Sequence, residues 1–123
     1  MDFQTACQEL MQQTLPQYET RDTFLGRLRR GYSPEPGQVT TLLVALKIIQ
    51  SQLYSSSQAD ASQIDRLLAQ SLFLVAYEGR NLFESARAAG ANLSPLLDED
   101  LARIAIAAYK ILANEPVEST GPA

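Results

Sequence analysis

Gln38-Val39-Thr40-Thr41-Leu42-Leu43-Val44-Ala45-Leu46-Lys47-Ile48-Ile49-Gln50-Ser51-Gln52-Leu53 is the stretch whose reading decides the fold class. Val39, Leu42, Leu43, Leu46, Ile49 and Leu53 recur at the three- and four-residue intervals of one helix face, and Ala45 and Ile48 widen the stripe. Lys47 is the only charged side chain between Gln38 and Gln58. A helix this apolar is expected to be a central one, surrounded by the others. Thr40, Thr41, Lys47, Gln50, Ser51 and Gln52 interrupt it well short of the ~18 consecutive apolar residues of a membrane span.

Towards the N-terminus, Asp2 is placed to cap a helix that carries Phe3, Cys7, Leu10, Met11 and Thr14 on one face. Pro16 cannot continue that helix, so a break is expected near Leu15. A second helical stretch from Gln17 brings Phe24, Leu25 and Leu28 inward and ends on Arg27, Arg29 and Arg30 before Gly31, cations followed by a stop. Gly31-Tyr32-Ser33-Pro34-Glu35-Pro36-Gly37 has too much proline and glycine for helix or central strand, and reads as a linker.

Towards the C-terminus, Asp60 or Ser62 is expected to cap a long helix from about Gln63 to Ala89, stopped by Gly90. Ile64, Leu67, Leu68, Ser71, Val75, Leu82 and Ala86 share its inner face, and Glu78 continues the stripe between Val75 and Leu82. Gly79 inside the run costs roughly 1 kcal/mol relative to alanine, which implies a bend or the close approach of another backbone. Ser94-Pro95 or Asp98 opens a last helix, with Asp98, Glu99 and Asp100 complementing its dipole and Leu101, Ile104, Ala105, Ala108, Ile111 and Leu112 facing inward. No stretch alternates with period two. The expectation is an all-α, single-domain bundle of four to five helices, mostly antiparallel, over residues 1–113, followed by a disordered tail over 114–123.

The 123 residues fit one core, and 46% apolar with 20% charged residues is an ordinary globular composition. There is no histidine, no tryptophan and one cysteine. Histidine-based acid–base catalysis, Ser-His-Asp and Cys-His arrangements, imidazole ligation and a single-chain zinc or iron–sulfur site are therefore excluded. Neither a metal nor a cofactor is expected. The lone Cys7 and an N-terminus without a basic, apolar leader predict a cytoplasmic protein with no membrane span. A net charge of −4 supplies no global pull towards nucleic acid.

Three surfaces carry the functional expectations. Arg21, Arg27, Arg29 and Arg30 with Tyr32 form a local basic cluster that either binds an anion or is a solvated helix end. Glu78, Arg80, Glu84 and Arg87 form a polar constellation, Arg80 and Glu84 pairing along the helix and Glu78 available to an arginine of another helix. Phe73, Leu74, Tyr77 and Phe83 exceed what one inward stripe needs and mark an interface. Gly26-Arg27-Leu28-Arg29-Arg30-Gly31-Tyr32-Ser33 has the glycine spacing of a phosphate-binding loop but Tyr32 stands where the lysine belongs, and no strand precedes it. Ser33-Pro34 matches a phosphorylation site and Asn92-Leu93-Ser94 a glycosylation triplet, neither with supporting context.

At Pro36-Gly37-Gln38-Val39-Thr40 through Ala45-Leu46-Lys47, and at Pro95-Leu96-Leu97-Asp98-Glu99-Asp100-Leu101, the chain resembles a family of short all-helical cyanobacterial proteins without an assigned activity, over about residues 2 to 113. Some members carry a dethiobiotin synthetase label. That enzyme needs the phosphate-binding loop that this chain lacks, so the resemblance implies a helical fold and no activity. The reading that follows is a noncatalytic protein-interaction or assembly/regulatory module that engages another protein, a homodimer being one form of it. A small-ligand carrier or enzyme with an interhelical pocket around Glu78 is the alternative, and anion or nucleic-acid binding through Arg27 to Arg30 is the third.

Overall fold

The computed structural model describes residues 1–56 and 63–117. Among the described residues all regular structure is helical: α1 (Phe3–Thr14), α2 (Phe24–Arg29), α3 (Gln38–Ser56), α4 (Arg66–Phe73), α5 (Gly79–Ala88) and α6 (Leu97–Leu112). A 3₁₀ turn, Pro16–Tyr18, follows α1. A π turn, Leu74–Glu78, joins α4 to α5 without a break, so the two form one rod.

The rod and α3 each pack between α1 and α6, which makes a four-membered ring with α3 and the rod diagonally opposed. Helix α2 closes the ring against α5 and α1. The core draws on all of them, including Leu10, Phe24, Leu28, Leu42, Leu46, Leu72, Val75 and Ile104. Helix α3 is thus a wall of the ring rather than its centre. Leu42, Ala45, Leu46 and Ile49 are buried, whereas Thr40, Val44, Lys47 and Ser51 are exposed. A ring member buries one stripe only, and residues a step off it emerge. Leu67, beside buried Leu68, and Leu112, beside buried Ile111, are about half exposed for this reason, against expectation.

The rod's register departs from a regular helix at the π turn. At ~100° per residue an unbroken α-helix puts Glu78 and Leu82 on the line of the fully buried Ser71 and turns Phe83 about 120° away. The Gly79 amide instead bonds to the Leu74 carbonyl, five residues back. One extra residue in the turn rotates everything after it back by about 100°. Gly79 and Phe83 therefore take the buried line, and Glu78 and Leu82 move to its edge. Phe83 is 4% exposed and belongs to the core, not to an interface.

Helix starts follow local hydrogen bonding. Asp2 caps α1 as expected, accepting from the Thr5 amide at 2.8 Å. Pro16 initiates only a 3₁₀ turn, so the second helix begins at Phe24 rather than Gln17, with the Thr23 hydroxyl oxygen accepting from the Gly26 amide. The long rod begins at Arg66, where Asp65 accepts from the Leu68 amide; the expected caps Asp60 and Ser62 lie outside the described residues. Helix α6 has Leu96 at its cap position, without a side-chain cap, and Asp98, Glu99 and Asp100 in its first turn.

Helix ends share one device. At Gly31 and Gly90, with φ of 81° and 85°, the chain turns left-handed and the next amide reaches back, Tyr32 to the Arg27 carbonyl and Ala91 to Ala86. Asn114 does the same at the end of α6. That turn carries the first tail residues back over α3, where the Gln50 side-chain amide donates to the Glu115 carbonyl at 3.0 Å and the Pro116 carbonyl at 3.3 Å. Residues 114–117 follow this turn, and 118–123 lie outside the described residues. A second amide joins three helices. The Gln13 carbonyl oxygen accepts from the Phe24 amide at 2.7 Å and from Gln38 Nε2 at 3.0 Å.

Two glycines have opposite surroundings. A Cβ on Gly79 would meet only side chains, Leu101, Leu25 and Phe24, at 3.6–3.8 Å, an ordinary contact distance. No other backbone approaches among its nearest neighbours, and the irregularity is the π turn before it. A Cβ on Gly26 would lie 1.8 Å from the Thr20 carbonyl oxygen. In chemical denaturation, Gly79→Ala is expected to stabilise the protein by about 0.5–1 kcal/mol. Gly26→Ala is expected to destabilise it by about 2 kcal/mol or more.

Candidate functional site

The arginines before Gly31 do not converge on one anion. Arg27 Nε donates to the Ser33 carbonyl at 2.7 Å, its Nη1 faces Glu35 at 3.4 Å, and its guanidinium lies 5.8 Å from the Tyr32 ring centroid. Arg29 bridges two elements, reaching Glu19 at 3.0 Å and Glu78 at 3.2 Å. The Glu19 carboxylate above all holds the Arg29 guanidinium more firmly protonated than usual, opposed by burial and aided by Glu78. Arg21 and Arg30 are exposed and make no ion pair among the described residues. Gly26 sits inside α2, which disposes of the phosphate-loop spacing.

Glu78 meets an arginine from another helix, as its position predicted, and it does so from the edge of the core. The neighbouring constellation is a second ion-pair cluster. Arg80 contacts Asp98 at 2.6 Å and Glu84 at 3.5 Å, while Arg87 contacts Glu84 at 2.6 Å. Both guanidiniums also lie over Phe83, 5.4 Å and 4.9 Å from its ring centroid. Tyr77 turns away from these groups and stacks on Phe73, with centroids 5.0 Å apart. Tyr77, Glu78 and Arg80 therefore point at three different neighbours, not into one pocket.

The exposed apolar surface is larger than the rod alone. Phe73 and Tyr77 are 54% and 55% exposed, whereas Leu74 is half-buried against the core. The Arg80–Asp98 pair sets the rod and α6 side by side. Counting forward from Asp98 by helical steps gives Ala102, Ala105, Tyr109 and Leu112 on one side of α6. Helix α6 packs against the π turn and α4. Tyr109 is 63% exposed. Phe73, Tyr77, Tyr109 and Leu112 are thus exposed apolar side chains on elements that pack against each other. Sequence periodicity marks Phe73 and Tyr77 as surplus, but the α6 half needs the register that the ion pair sets.

Cys7 is half-buried on α1, and burial, then the nearby Asp65 carboxylate, push its thiol pKa up and make it a poor nucleophile at neutral pH. Among the described residues, no group of three or more Cys, Asp or Glu side chains is placed to hold a metal ion, and no helix is long and apolar enough to cross a membrane. Ser33 is engaged structurally, its hydroxyl oxygen accepting from the Ser94 amide at 2.7 Å and tying the linker to the turn before α6. No protein-family model, no curated protein and no solved structure matches the chain.

Because Arg29 is half exposed, its removal is expected to be mild. Arg29→Ala should lower stability by about 1 kcal/mol or less, and 1 M salt should shrink the difference from the parent. A loss of several kcal/mol would mean that Glu78 is left buried without a partner.

Proposed function

We propose that this protein is a noncatalytic interaction module whose docking face is the strip formed by Phe73 and Tyr77 on the rod and by Tyr109 and Leu112 on α6. The observation that carries this reading is the stacked, half-exposed Phe73–Tyr77 pair on the rod, with Tyr109 and Leu112 comparably exposed on the α6 helix that packs against it. Large contiguous apolar surface is uncommon on monomers and marks association. Aromatic side chains anchor such faces because they bury much area with few rotatable bonds.

The occupant of this face is a second copy of the chain. An uncharged strip can lie against itself across a twofold axis without opposing like charges, and the flanking arginines are already paired within the chain. The carboxylates that would serve catalysis, Glu78, Glu84 and Asp98, are likewise engaged by arginines. This supports binding over chemistry at that surface, and it leaves the pocket around Glu78 and the Arg27 to Arg30 anion site without a convergent set of groups.

Sedimentation of the wild-type chain at on the order of 100 μM, compared with Phe73→Glu and Tyr109→Glu, tests the proposal. The wild type is expected to sediment as a dimer and each variant as a folded monomer. A monomeric wild type, or a dimer indifferent to both substitutions, would overturn it.

A further inference from the structure

The segment 31–37 between α2 and α3 is fastened to the domain mainly by side chains. From Ser33 to Gly37 its main chain bonds to main chain only at the start of α3, where the Glu35 carbonyl accepts from the Gln38 amide and the Gly37 carbonyl from the Thr41 amide. The attachments of this stretch to α2 and to the turn before α6 run through Arg27 and Ser33.

Those two attachments differ in strength. Arg27, on α2, engages Tyr32, Ser33 and Glu35 through its guanidinium, by the contacts described above. The other attachment is one neutral bond at an exposed position, the Ser33 hydroxyl oxygen accepting from the Ser94 amide at 2.7 Å. Hydrogen bonds from a charged donor are about twice as strong as neutral ones. The Ser94 bond therefore yields first, and the segment stays with α2. Gly31 and Gly37, with φ of 81° and 86°, bound the segment. Glycine absorbs a change of backbone angle at little cost, so these two positions are its hinges.

The segment forms a wall. Pro34, Glu35, Pro36 and Gly37 line one part of a cleft of about 540 Å³. Ser94 lines the same cleft, as do residues of α3 and α6. The bond between Ser33 and Ser94 thus joins two parts of the rim. Leu97, three residues beyond Ser94, also lines the cleft and is 1% exposed.

We infer that the segment 31–37 is a hinged strap, latched to the turn before α6 by the Ser33 hydroxyl, and that release of this one bond opens the cleft down to Leu97. The strap then moves with α2 and carries Pro34 and Glu35 away from Ser94. The latch is independent of the dimer proposed above, because it involves neither Phe73 nor Tyr109.

Wild type, Ser33→Ala and Ser33→Thr are compared as full chains carrying ¹⁵N and labelled leucine methyl groups. A soluble nitroxide reports the exposure of the Leu97 methyls, and ¹⁵N relaxation, with dispersion for microsecond-to-millisecond opening, reports motion at Ser33, Glu35 and Gly37. In Ser33→Ala the nitroxide effect at Leu97 should rise by about fivefold, the shift in an opening equilibrium that loss of one neutral hydrogen bond gives. Motion should increase at Glu35 and Gly37, while the amides of α3 and α6 keep their wild-type values. Ser33→Thr retains the hydroxyl and should behave as wild type. A perturbation confined to Ser94, a Leu97 that stays shielded in Ser33→Ala, or equal loosening in Ser33→Thr would each overturn the inference.

Discussion

The π turn at Leu74–Glu78 is the constraint on which the rest of the molecule depends. By taking one extra residue it shifts the register of the rod that follows. Gly79 then faces the side chains of Leu25, Phe24 and Leu101, and Phe83 enters the core. In a regular helix Glu78 would occupy the buried line, where an ionised carboxylate is costly. Displaced to the edge, it meets Arg29 instead. The docking of α2 on the rod and the placement of the ion pairs around Phe83 follow from the same shift.

Polar side chains in this bundle mainly position helices. Gln13 and Gln38 join the end of α1 to the starts of α2 and α3, and Gln50 holds the chain after α6. Among the described residues no buried side-chain polar atom lacks a partner. The arginines that look like a binding cluster in sequence are divided among Glu19, Glu35 and Glu78. Among the large apolar side chains left outward are Phe73, Tyr77, Tyr109 and Leu112.

The all-helical architecture, the break at Pro16 and the stops at Gly31 and Gly90 were legible in the sequence, because each follows from local stereochemistry or from 3.6-residue periodicity. The inward positions of Leu10, Leu42, Leu46 and Ile104 were legible for the same reason. Phe83 and Leu82 were exchanged because a π turn leaves no compositional mark and a periodic reading assumes ~100° throughout. The centrality of α3 was overstated, since few charges in a helix do not reveal how many neighbours it has. Of the surface residues, Phe73 and Tyr77 stood out as surplus, whereas Tyr109 and Leu112 did not. Those depend on which helix lies beside which, and the Arg80–Asp98 contact between distant residues decides it.

The π turn is directly observable in solution. Scalar coupling across hydrogen bonds, measured on ¹⁵N,¹³C-labelled protein, reports which carbonyl each amide bonds to. The Gly79 nitrogen is predicted to couple to the Leu74 carbonyl carbon, as in the structure. Coupling of Gly79 to Val75, the partner in an unbroken α-helix, would contradict the register shift and with it the burial of Phe83.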